Sequence, residues 1–442
     1  MSNQSETYAR LRQAIDGLPV IDCHEHMIGP QAAPENREPI ACLIPGYLQT
    51  DLQSVVYPGW QGARPDMWDW LNDQSVPTED KWPLFERIWR ETRHTAYARV
   101  TMRILQDVYG EKEMALAALQ RIRERLLDLR DPSVYRRVLD QAKIRCRIVD
   151  TRPDVKAYLE GRFQVYERDR LMIFLPQFHA VRSWQEVWDL TQVIGESVTG
   201  LDGYLEACRE IFRRMVERGA LGFKDQAAYR RTLAYGNPTR AEAEALFNRF
   251  MADPRQGLGW PEARPLDDYL FHRFMEMARE MDLPVQIHTG HMARGRNDIA
   301  KTNAVLLTPV LELHRDVRFA LLHGNWPYMG EYLYLGKNYP NVHLDLSWLA
   351  IIDPVYARNL LSEGLGTVPH GKLHAFGGDY RDAAALHAAS HLTIARDMVA
   401  AALAEQVESG WINEQEAVQV AADWLFNNPN EFFRLGFERL ET

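Results

Sequence analysis

The chain has 442 residues, of which 46% are hydrophobic and 25% are charged, so it is long and apolar enough to bury a sizeable core. Its net charge of -10 argues against a protein that grips nucleic-acid backbones, because such a protein needs a basic surface. The same acidity argues against binding to anionic membranes, and no apolar run reaches the length of about 18 residues that would suggest a membrane span.

Eight short apolar runs recur along the chain, and longer segments with helical character separate them. Runs that are apolar along most of their length, with polar residues at the carboxyl end, are typical of buried parallel strands. The runs cover residues 18–23, 144–151, 171–176, 220–224, 284–288, 318–323, 342–346 and 373–376. Strands that alternate with helices predict a parallel sheet, and eight of them favour a closed (β/α)8 TIM barrel. An open doubly wound sheet is the alternative, but polar residues follow many strands and not one switch point.

Two helices have specific signals. The segment 265–281 carries acidic residues early and a basic residue late, which suits the helix dipole. Asn413 followed by Glu416 forms a capping-box pattern that predicts the start of a helix.

Two connections are too long for simple turns, namely residues 27–142 and 227–283. Long connections in compact domains usually carry function or a subdomain. We predict a single barrel domain over residues 1–442, with residues 27–142 as a mainly helical insertion that caps the mouth. An outer packing or oligomer surface is the alternative role for this insertion.

The sequence Asp22-Cys23-His24-Glu25-His26 ends the first predicted strand. Residues two apart on a strand point to the same face, so His24 and His26 are predicted to aim at one point, with Cys23 and Glu25 facing the other way. Two converging imidazoles form half of a typical zinc or manganese site. Two surface histidines at this spacing also arise by chance, so the pair alone is weak evidence.

Other strand ends carry further candidate ligands. They are Lys224 after the fourth run, His288 after the fifth, His323 after the sixth and Asp379 after the eighth. The carboxyl ends of parallel barrel strands lie on one face, so these side chains are predicted to meet there.

At these positions the chain resembles the amidohydrolase superfamily of metal-dependent TIM-barrel enzymes, in its amidohydrolase-2-like branch. The run GFKDQAAYR at residues 222–230 resembles the amidohydrolase-like domain that is found fused to glutamine-synthetase-like proteins. The resemblance implies that His24 and His26 bind a first metal and that Asp379 is a further ligand. It implies that His288 and His323 bind the same metal, a second metal or the substrate.

Lys224 leaves the number of metals open. A buried ammonium beside a divalent metal is repelled and costly to desolvate. In many members of the superfamily this lysine is carboxylated by CO₂ and bridges two metals, so the resemblance implies a binuclear site if Lys224 is modified. If it is not, Lys224 pairs with a carboxylate and the site holds one metal. Zinc is the expected ion, and manganese is the alternative.

Three residues near the predicted mouth are candidates for substrate binding. They are Arg230, His291 and Trp326. An arginine there would hold a substrate carboxylate through two parallel hydrogen bonds, although a surface role for Arg230 is equally compatible with the sequence. His291 is a loop histidine for which ligation, substrate contact and a plain surface role all remain open.

The chemistry that the resemblance implies is cleavage of an amide-type C–N bond in a small substrate by metal-activated water. Asp379 would accept a proton from water and His323 would polarise the carbonyl. The absence of GxSxG and P-loop motifs supports this reading. The alternatives are a single-metal decarboxylase of an aromatic or unsaturated acid, a lactonase, a sugar-acid isomerase, and a non-catalytic relative.

Four cysteines with irregular spacing and a polar amino terminus indicate a cytoplasmic protein with free thiols. We expect a small-molecule substrate, no nucleic acid, no membrane, and association into homo-oligomers by analogy alone.

Overall fold

The computed structural model describes residues 5–57, 59–60, 62, 64–195, 197–293, 295, 297–382 and 384–442. Parallel strands follow one another in chain order around a barrel. They are β1 Val20–Met27, β2 Ile144–Val149, β3 Asp169–Phe174, β4 Gly222–Asp225, β5 Val285–Ile287, β6 Phe319–Leu321, β7 Val342–Asp345 and β8 Leu373–His374, and a short β9, Arg381–Asp382, pairs with the end of β1. Each of the first eight overlaps one predicted apolar run, which confirms the (β/α)8 barrel.

Hydrogen bonds between β1 and the segment after β8 close the barrel. The Cys23 amide donates to the Phe376 carbonyl at 3.0 Å, and the Asp379 amide donates to the His24 carbonyl at 2.8 Å. All strands run parallel, so their carboxyl ends form one rim, and the loops that follow the strands emerge there.

Helices fill the connections between the strands. The α-helices are Glu6–Gly17, Pro39–Leu43, Leu48–Ser54, Met67–Asn72, Thr78–Thr92, Ala96–Arg103, Leu116–Arg123, Pro132–Ala142, Val155–Leu159, Pro176–His179, Trp184–Thr191, Leu201–Glu217, Arg240–Ala252, Arg264–Glu280, Thr308–Leu313, Met329–Asn338, Leu349–Ile352, Pro354–Thr367, Ala385–Glu408, Glu414–Ala422 and Asn428–Phe433. Ile104–Val108 and Asp423–Asn427 are π-helical turns. The 3-10 turns are Pro30–Ala32, Gln192–Ile194, Ala227–Tyr229, Ile299–Lys301, Ala304–Leu307, His323–Asn325 and His370–Lys372. The two helices with specific sequence signals are both present, and Asn413 and Glu416 form the predicted capping box.

The connection between β1 and β2 is mainly helical, as predicted. A buried ion pair stabilises the start of the helix Pro39–Leu43 in this connection. In this pair, Lys81 Nζ lies 2.6 Å from Glu38 Oε2. The Glu38 carboxylate also accepts hydrogen bonds from the amides of Ile40 and Ala41, and Lys81 donates to the Leu71 carbonyl. A buried charge pair is tolerated when hydrogen bonds satisfy both partners, and this pair meets that condition.

The carboxyl-terminal helix closes the other end of the barrel. Phe432 and Phe433 pack in one buried cluster with Ile21, Cys146 and Met172, which come from three barrel strands. The lower part of the barrel is therefore packed mainly with apolar side chains, and the buried His374, whose ring centroid lies 5.1 Å from that of Phe432, is a polar exception there.

The expectation of free thiols is also met. The cysteines are free thiols. Across the described ranges, no helix combines the length and the apolar character needed to cross a membrane.

Candidate active site

The carboxyl ends of five strands bring the predicted ligands to one rim of the barrel. Five of the six side chains are at most 5% exposed, and His26 is 14% exposed. The set comprises His24 and His26 on β1, Lys224 on β4, His288 after β5, His323 after β6 and Asp379 after β8.

Three of these side chains converge on one point. Asp379 Oδ1 lies 3.3 Å from His24 Nε2 and 3.1 Å from His26 Nε2. Two donors on a tetrahedral zinc ion, each about 2.1 Å from the metal, are separated by about 3.4 Å. Both ring nitrogens of His24 are buried and make no hydrogen bond to the described residues. A divalent metal ion therefore fits between these three donors and would use the nitrogens that the protein leaves without a partner.

A backbone carbonyl fixes the tautomer of His26. His26 Nδ1 lies 2.9 Å from the Asp150 carbonyl oxygen, which can only accept a hydrogen bond. Nδ1 therefore carries the proton, and Nε2 presents its lone pair toward Asp379. Metal-binding histidines are usually oriented in this way by the ring nitrogen that does not bind the metal.

His288 and His323 form a second pair of facing nitrogens. His288 Nε2 lies 2.8 Å from the His291 carbonyl, and His323 Nδ1 lies 3.0 Å from the Ser347 carbonyl, so each of these nitrogens is a donor. The remaining nitrogens, His288 Nδ1 and His323 Nε2, are then both acceptors, yet they lie only 3.0 Å apart. Two facing lone pairs at this distance require a proton or a metal ion between them.

Burial favours the metal ion over the proton. Burial lowers the pKa of His323 to about 4, and burial and the neighbouring His323 hold the pKa of His288 well below its ordinary range. Burial, followed by the charge of Lys224, does the same for His24. These imidazoles are therefore neutral at pH 7, which is the form that binds metal.

Asp379 keeps its negative charge. Burial raises the pKa of its carboxyl group, but the adjacent His24 and His26 rings outweigh that effect and hold the pKa well below the ordinary value. The centre therefore combines neutral nitrogen donors with one anionic oxygen donor.

Lys224 is fully buried beside this cluster. Its Nζ makes no hydrogen bond to the described residues. Burial lowers its pKa to about 8, against the opposing effect of the nearby Asp150 carboxylate. The neutral amine is the form that reacts with CO₂, so a depressed pKa assists carboxylation at neutral pH. Asp150 is also buried, and neither of its carboxylate oxygens has a hydrogen-bond partner among the described residues.

The backbone around the centre is strained. Three non-glycine residues adopt positive φ, with values of 67° at His323, 68° at Trp348 and 60° at Asp379. Such conformations cost about 1–3 kcal/mol each and cluster at functional sites. The grouping of these three residues around the ligands is an observation separate from the donor distances, and it also indicates a functional site.

Two glycines allow Asp379 to reach the centre. A Cβ atom at Gly377 would lie 1.9 Å from Ser347 Oγ, and a Cβ atom at Gly378 would lie 2.0 Å from Glu25 Oε1. A Cβ atom at Gly377 would also lie 2.8 Å from the His24 backbone nitrogen, so the turn after β8 can pack this closely against β1 only with glycine there. A Cβ atom at Gly378 would instead require the Glu25 side chain to move.

Aromatic side chains surround the ligands. Trp348 contacts His323 with ring centroids 5.5 Å apart, and it stacks on Tyr47 at 4.4 Å. Tyr47 and Tyr97 come from the helical insertion and stack on each other at 5.3 Å. The Tyr47 hydroxyl donates to the Asp379 carbonyl. The insertion therefore contributes directly to the wall of the site, while its role as a cap stays a prediction.

The three predicted substrate-binding residues have different positions. His291 is half-buried, and its ring lies 4.9 Å from Trp348 and 5.4 Å from Trp326. Burial lowers the pKa of His291 to about 4. Arg230 is exposed in the turn after β4. His291 and Trp326 therefore join the aromatic wall, while a role for the exposed Arg230 in substrate binding stays a prediction.

Sequence reasoning missed several residues that the fold brings to the site. They are Tyr47, Asp150, Arg152, Gln226 and Trp348. Asp150 and Gln226 follow the ends of β2 and β4, so the rule that located the other ligands would also have found them. Tyr47 lies in a long insertion, and no local pattern indicates where its side chain goes.

Comparison with known proteins gives a family match for about half of the chain. The family model described as Amidohydrolase matches residues 206–435, about half of the chain. The curated protein fluG of Emericella nidulans is 29% identical over 235 residues, which make up 50% of this chain but only 26% of fluG. The chain therefore matches about a quarter of that relative's length.

Solved structures share the fold at lower identity. A protein of Lactobacillus casei, proposed to be a metal-dependent hydrolase, superposes with a TM-score of 0.65 at 17% identity, covering 96% of this chain and 97% of that one. Glucuronate isomerase of Caulobacter crescentus superposes with a TM-score of 0.72 at 19% identity, covering 99% and 96%. These likenesses extend along the whole chain and concern the fold.

Proposed function

Since this chain belongs to the amidohydrolase family, we propose that it is a metal-dependent hydrolase that cleaves an amide-type C–N bond in a small, carboxylate-bearing substrate. The observation that carries the proposal is the donor set at the rim of the barrel. Asp379 Oδ1 lies within 3.3 Å of two imidazole nitrogens, and a second pair of facing imidazole nitrogens lies 3.0 Å apart.

We propose zinc as the resident metal, with manganese as the alternative, because imidazole and carboxylate donors suit both ions. His24, His26 and Asp379 would hold one ion. His288 and His323 would hold a second ion, together with a carboxylated Lys224. The facing nitrogens of His288 and His323 favour two ions, since one ion beside Asp379 would leave their lone pairs opposed.

The protein's own groups then divide the reaction between them. When bound, a divalent metal ion supplies Lewis-acid chemistry, because it lowers the pKa of water and polarises a carbonyl oxygen. Asp379 accepts the proton of the attacking water and passes it to the leaving nitrogen. His323 lies against Trp348, and its Nδ1–H donates to the Ser347 carbonyl, which orients the ring so that Nε2 could hold the second ion. The rings of Trp348, Tyr47 and His291 restrict bulk water, which strengthens these electrostatic interactions.

The test is turnover of a panel of small amides by zinc-loaded and manganese-loaded protein, compared with Asp379→Asn. The variant should keep much of its metal, because the amide oxygen still faces both histidines. Its kcat should fall about 10²- to 10⁴-fold, since the proton acceptor is lost. A variant that stays near the wild-type rate would exclude this role for Asp379.

Other reactions on the same scaffold form the alternatives. A single-metal decarboxylase would release CO₂ from an aromatic or unsaturated acid, and a lactonase would open a cyclic ester. An isomerase of sugar acids is a third alternative, because solved isomerases share the fold. Adding such acids and lactones to the panel separates these reactions, because each gives a different product.

A further inference from the structure

Arg152 lies at the rim of the barrel, three residues after the end of β2. Its side chain is 43% exposed, and its guanidinium carbon lies 4.1 Å above the centre of the Phe174 ring. Its backbone adopts a positive φ of 47°, which is an unfavourable conformation for a residue other than glycine. The stacking on Phe174 restricts the orientation of the guanidinium at the rim of the barrel.

A single carboxamide connects this guanidinium to the ligand cluster. Arg152 Nη2 donates to Gln226 Oε1, and Gln226 Nε2 lies 3.1 Å from His26 Nε2. Arg152 Nε lies 3.8 Å from Asp150 Oδ2, and Asp150 is buried below it. A single carboxamide group therefore separates the Arg152 guanidinium from the nitrogen that faces Asp379.

The contacts of Arg152 leave part of its binding capacity unused. A guanidinium has five N–H donors in a planar fork, and the contacts to Gln226 and Asp150 involve Nη2 and Nε. A partly exposed arginine that stacks on an aromatic ring is well suited to a carboxylate, which it binds through two parallel hydrogen bonds. A purely structural role would account for the stacking on Phe174 and for the contact with Asp150. It would not require the Arg152 side chain to remain partly exposed at the rim.

We propose that Arg152 binds a carboxylate of the substrate and thereby selects acids whose anionic group lies only a few bonds from the reacting carbon. The inference rests on the proposed function for the reaction itself, although the binding of a carboxylate at Arg152 does not depend on which bond is cleaved. It assigns to Arg152 the role for which Arg230 is the sequence-based candidate. The favoured substrates are short amides such as N-acyl amino acids and γ-glutamyl amides.

Binding of simple acids tests the proposal without any turnover. Isothermal calorimetry on zinc-loaded protein compares succinate and glutarate with propionate and butyrate, which lack the second carboxylate. The dicarboxylates should bind more tightly than the monocarboxylates, by about 10- to 100-fold for a charged hydrogen-bonded pair. Arg152→Gln should abolish this preference, and Arg152→Lys should restore only part of it because lysine lacks the planar fork.

Two further variants make the experiment decisive. Arg137→Gln removes an exposed arginine from the helix Pro132–Ala142 and should leave the preference unchanged. Arg230→Gln tests the rival residue. The proposal is overturned if the wild-type protein shows no preference for dicarboxylates, if Arg152→Gln retains it, or if only Arg230→Gln removes it. Failure to hydrolyse any amide, with the preference intact, would reject the proposed reaction and keep the assignment of Arg152.

Discussion

Acidification of the metal-free protein from pH 7 to pH 5 should destabilise it strongly, because the fold buries neutral histidines. Burial lowers the pKa of His387 to about 4 and that of His391 to about 3. The pKa of an unfolded histidine is about 6.5. As the pH falls below that value, the unfolded chain binds protons that the folded chain does not bind. The full stability is therefore present above pH 6.5 and is lost as the pH falls toward 4.

The size of the effect follows from these values. At pH 5, a histidine whose pKa falls from about 6.5 unfolded to about 4 folded reduces the free energy of unfolding by about 2 kcal/mol. His387 and His391 together account for about 4 kcal/mol on the same basis, which is a large part of the total stability of about 5–15 kcal/mol of a typical domain.

Thermal unfolding in the presence of a chelator, at pH 7 and at pH 5, measures this loss. His391 lies against Phe376 with ring centroids 5.1 Å apart, so an apolar residue fits there. His391→Leu should reduce the pH dependence of the free energy of unfolding by about 2 kcal/mol. The exposed His94 supplies the control, and His94→Gln should change nothing. Equal melting temperatures at the two pH values, or an unchanged pH dependence in His391→Leu, would refute the reasoning.

Three further predictions concern the centre itself. Gly377→Ala should lower the free energy of unfolding by about 1–3 kcal/mol, because the added Cβ atom would overlap Ser347 Oγ. Gly371→Ala is the control in thermal unfolding and should be neutral, because a Cβ atom there meets nothing within 4 Å. Labelled bicarbonate should give a ¹³C carbamate signal on metal-loaded protein, because burial lowers the pKa of Lys224 to about 8 and so favours the reactive neutral amine, and no such signal should appear in Lys224→Ala. Asp150→Asn should weaken metal binding about 10- to 100-fold in a competition titration, since the Asp150 carboxylate lies beside His26. Unchanged metal affinity would show that Asp150 does not orient His26 for metal binding.

The barrel and its ligands could be predicted because both depend on local patterns. A buried parallel strand is a short apolar run, and its carboxyl end lies at the functional rim whatever the rest of the chain does. From the sequence alone, this rule predicts that one rim of the barrel carries His24, His26, His288, His323 and Asp379.

The details of β1 could not be predicted in this way. Regular alternation places Cys23 on the face opposite His24, but the pairing of β1 with β2 shifts between Asp22 and Glu25. Cys23 packs inside the barrel with Ile21, below the two histidines. Only the partner strand reveals such an irregularity, because it depends on which residues hydrogen-bond across the pair.

Arg152, Tyr47 and Trp348 illustrate a second limit. Their roles depend on contacts between segments distant in sequence, such as the stacking of Tyr47 on Trp348. A single sequence contains no signal for these pairings. The arginine singled out from the sequence was Arg230, which the structure places on the surface. Substrate contacts arise from the packing of loops, whereas strand ends are fixed by the sheet.

The most direct test of the whole account is the metal content per chain, measured by elemental analysis on protein purified without chelator. The account predicts about two zinc or manganese ions for the wild-type protein. It predicts loss of the ion held by His24 and His26 when both are replaced by alanine, and loss of the other ion in His323→Ala. A well-folded wild-type protein that binds no metal, even at saturating zinc and manganese, would contradict the central claim.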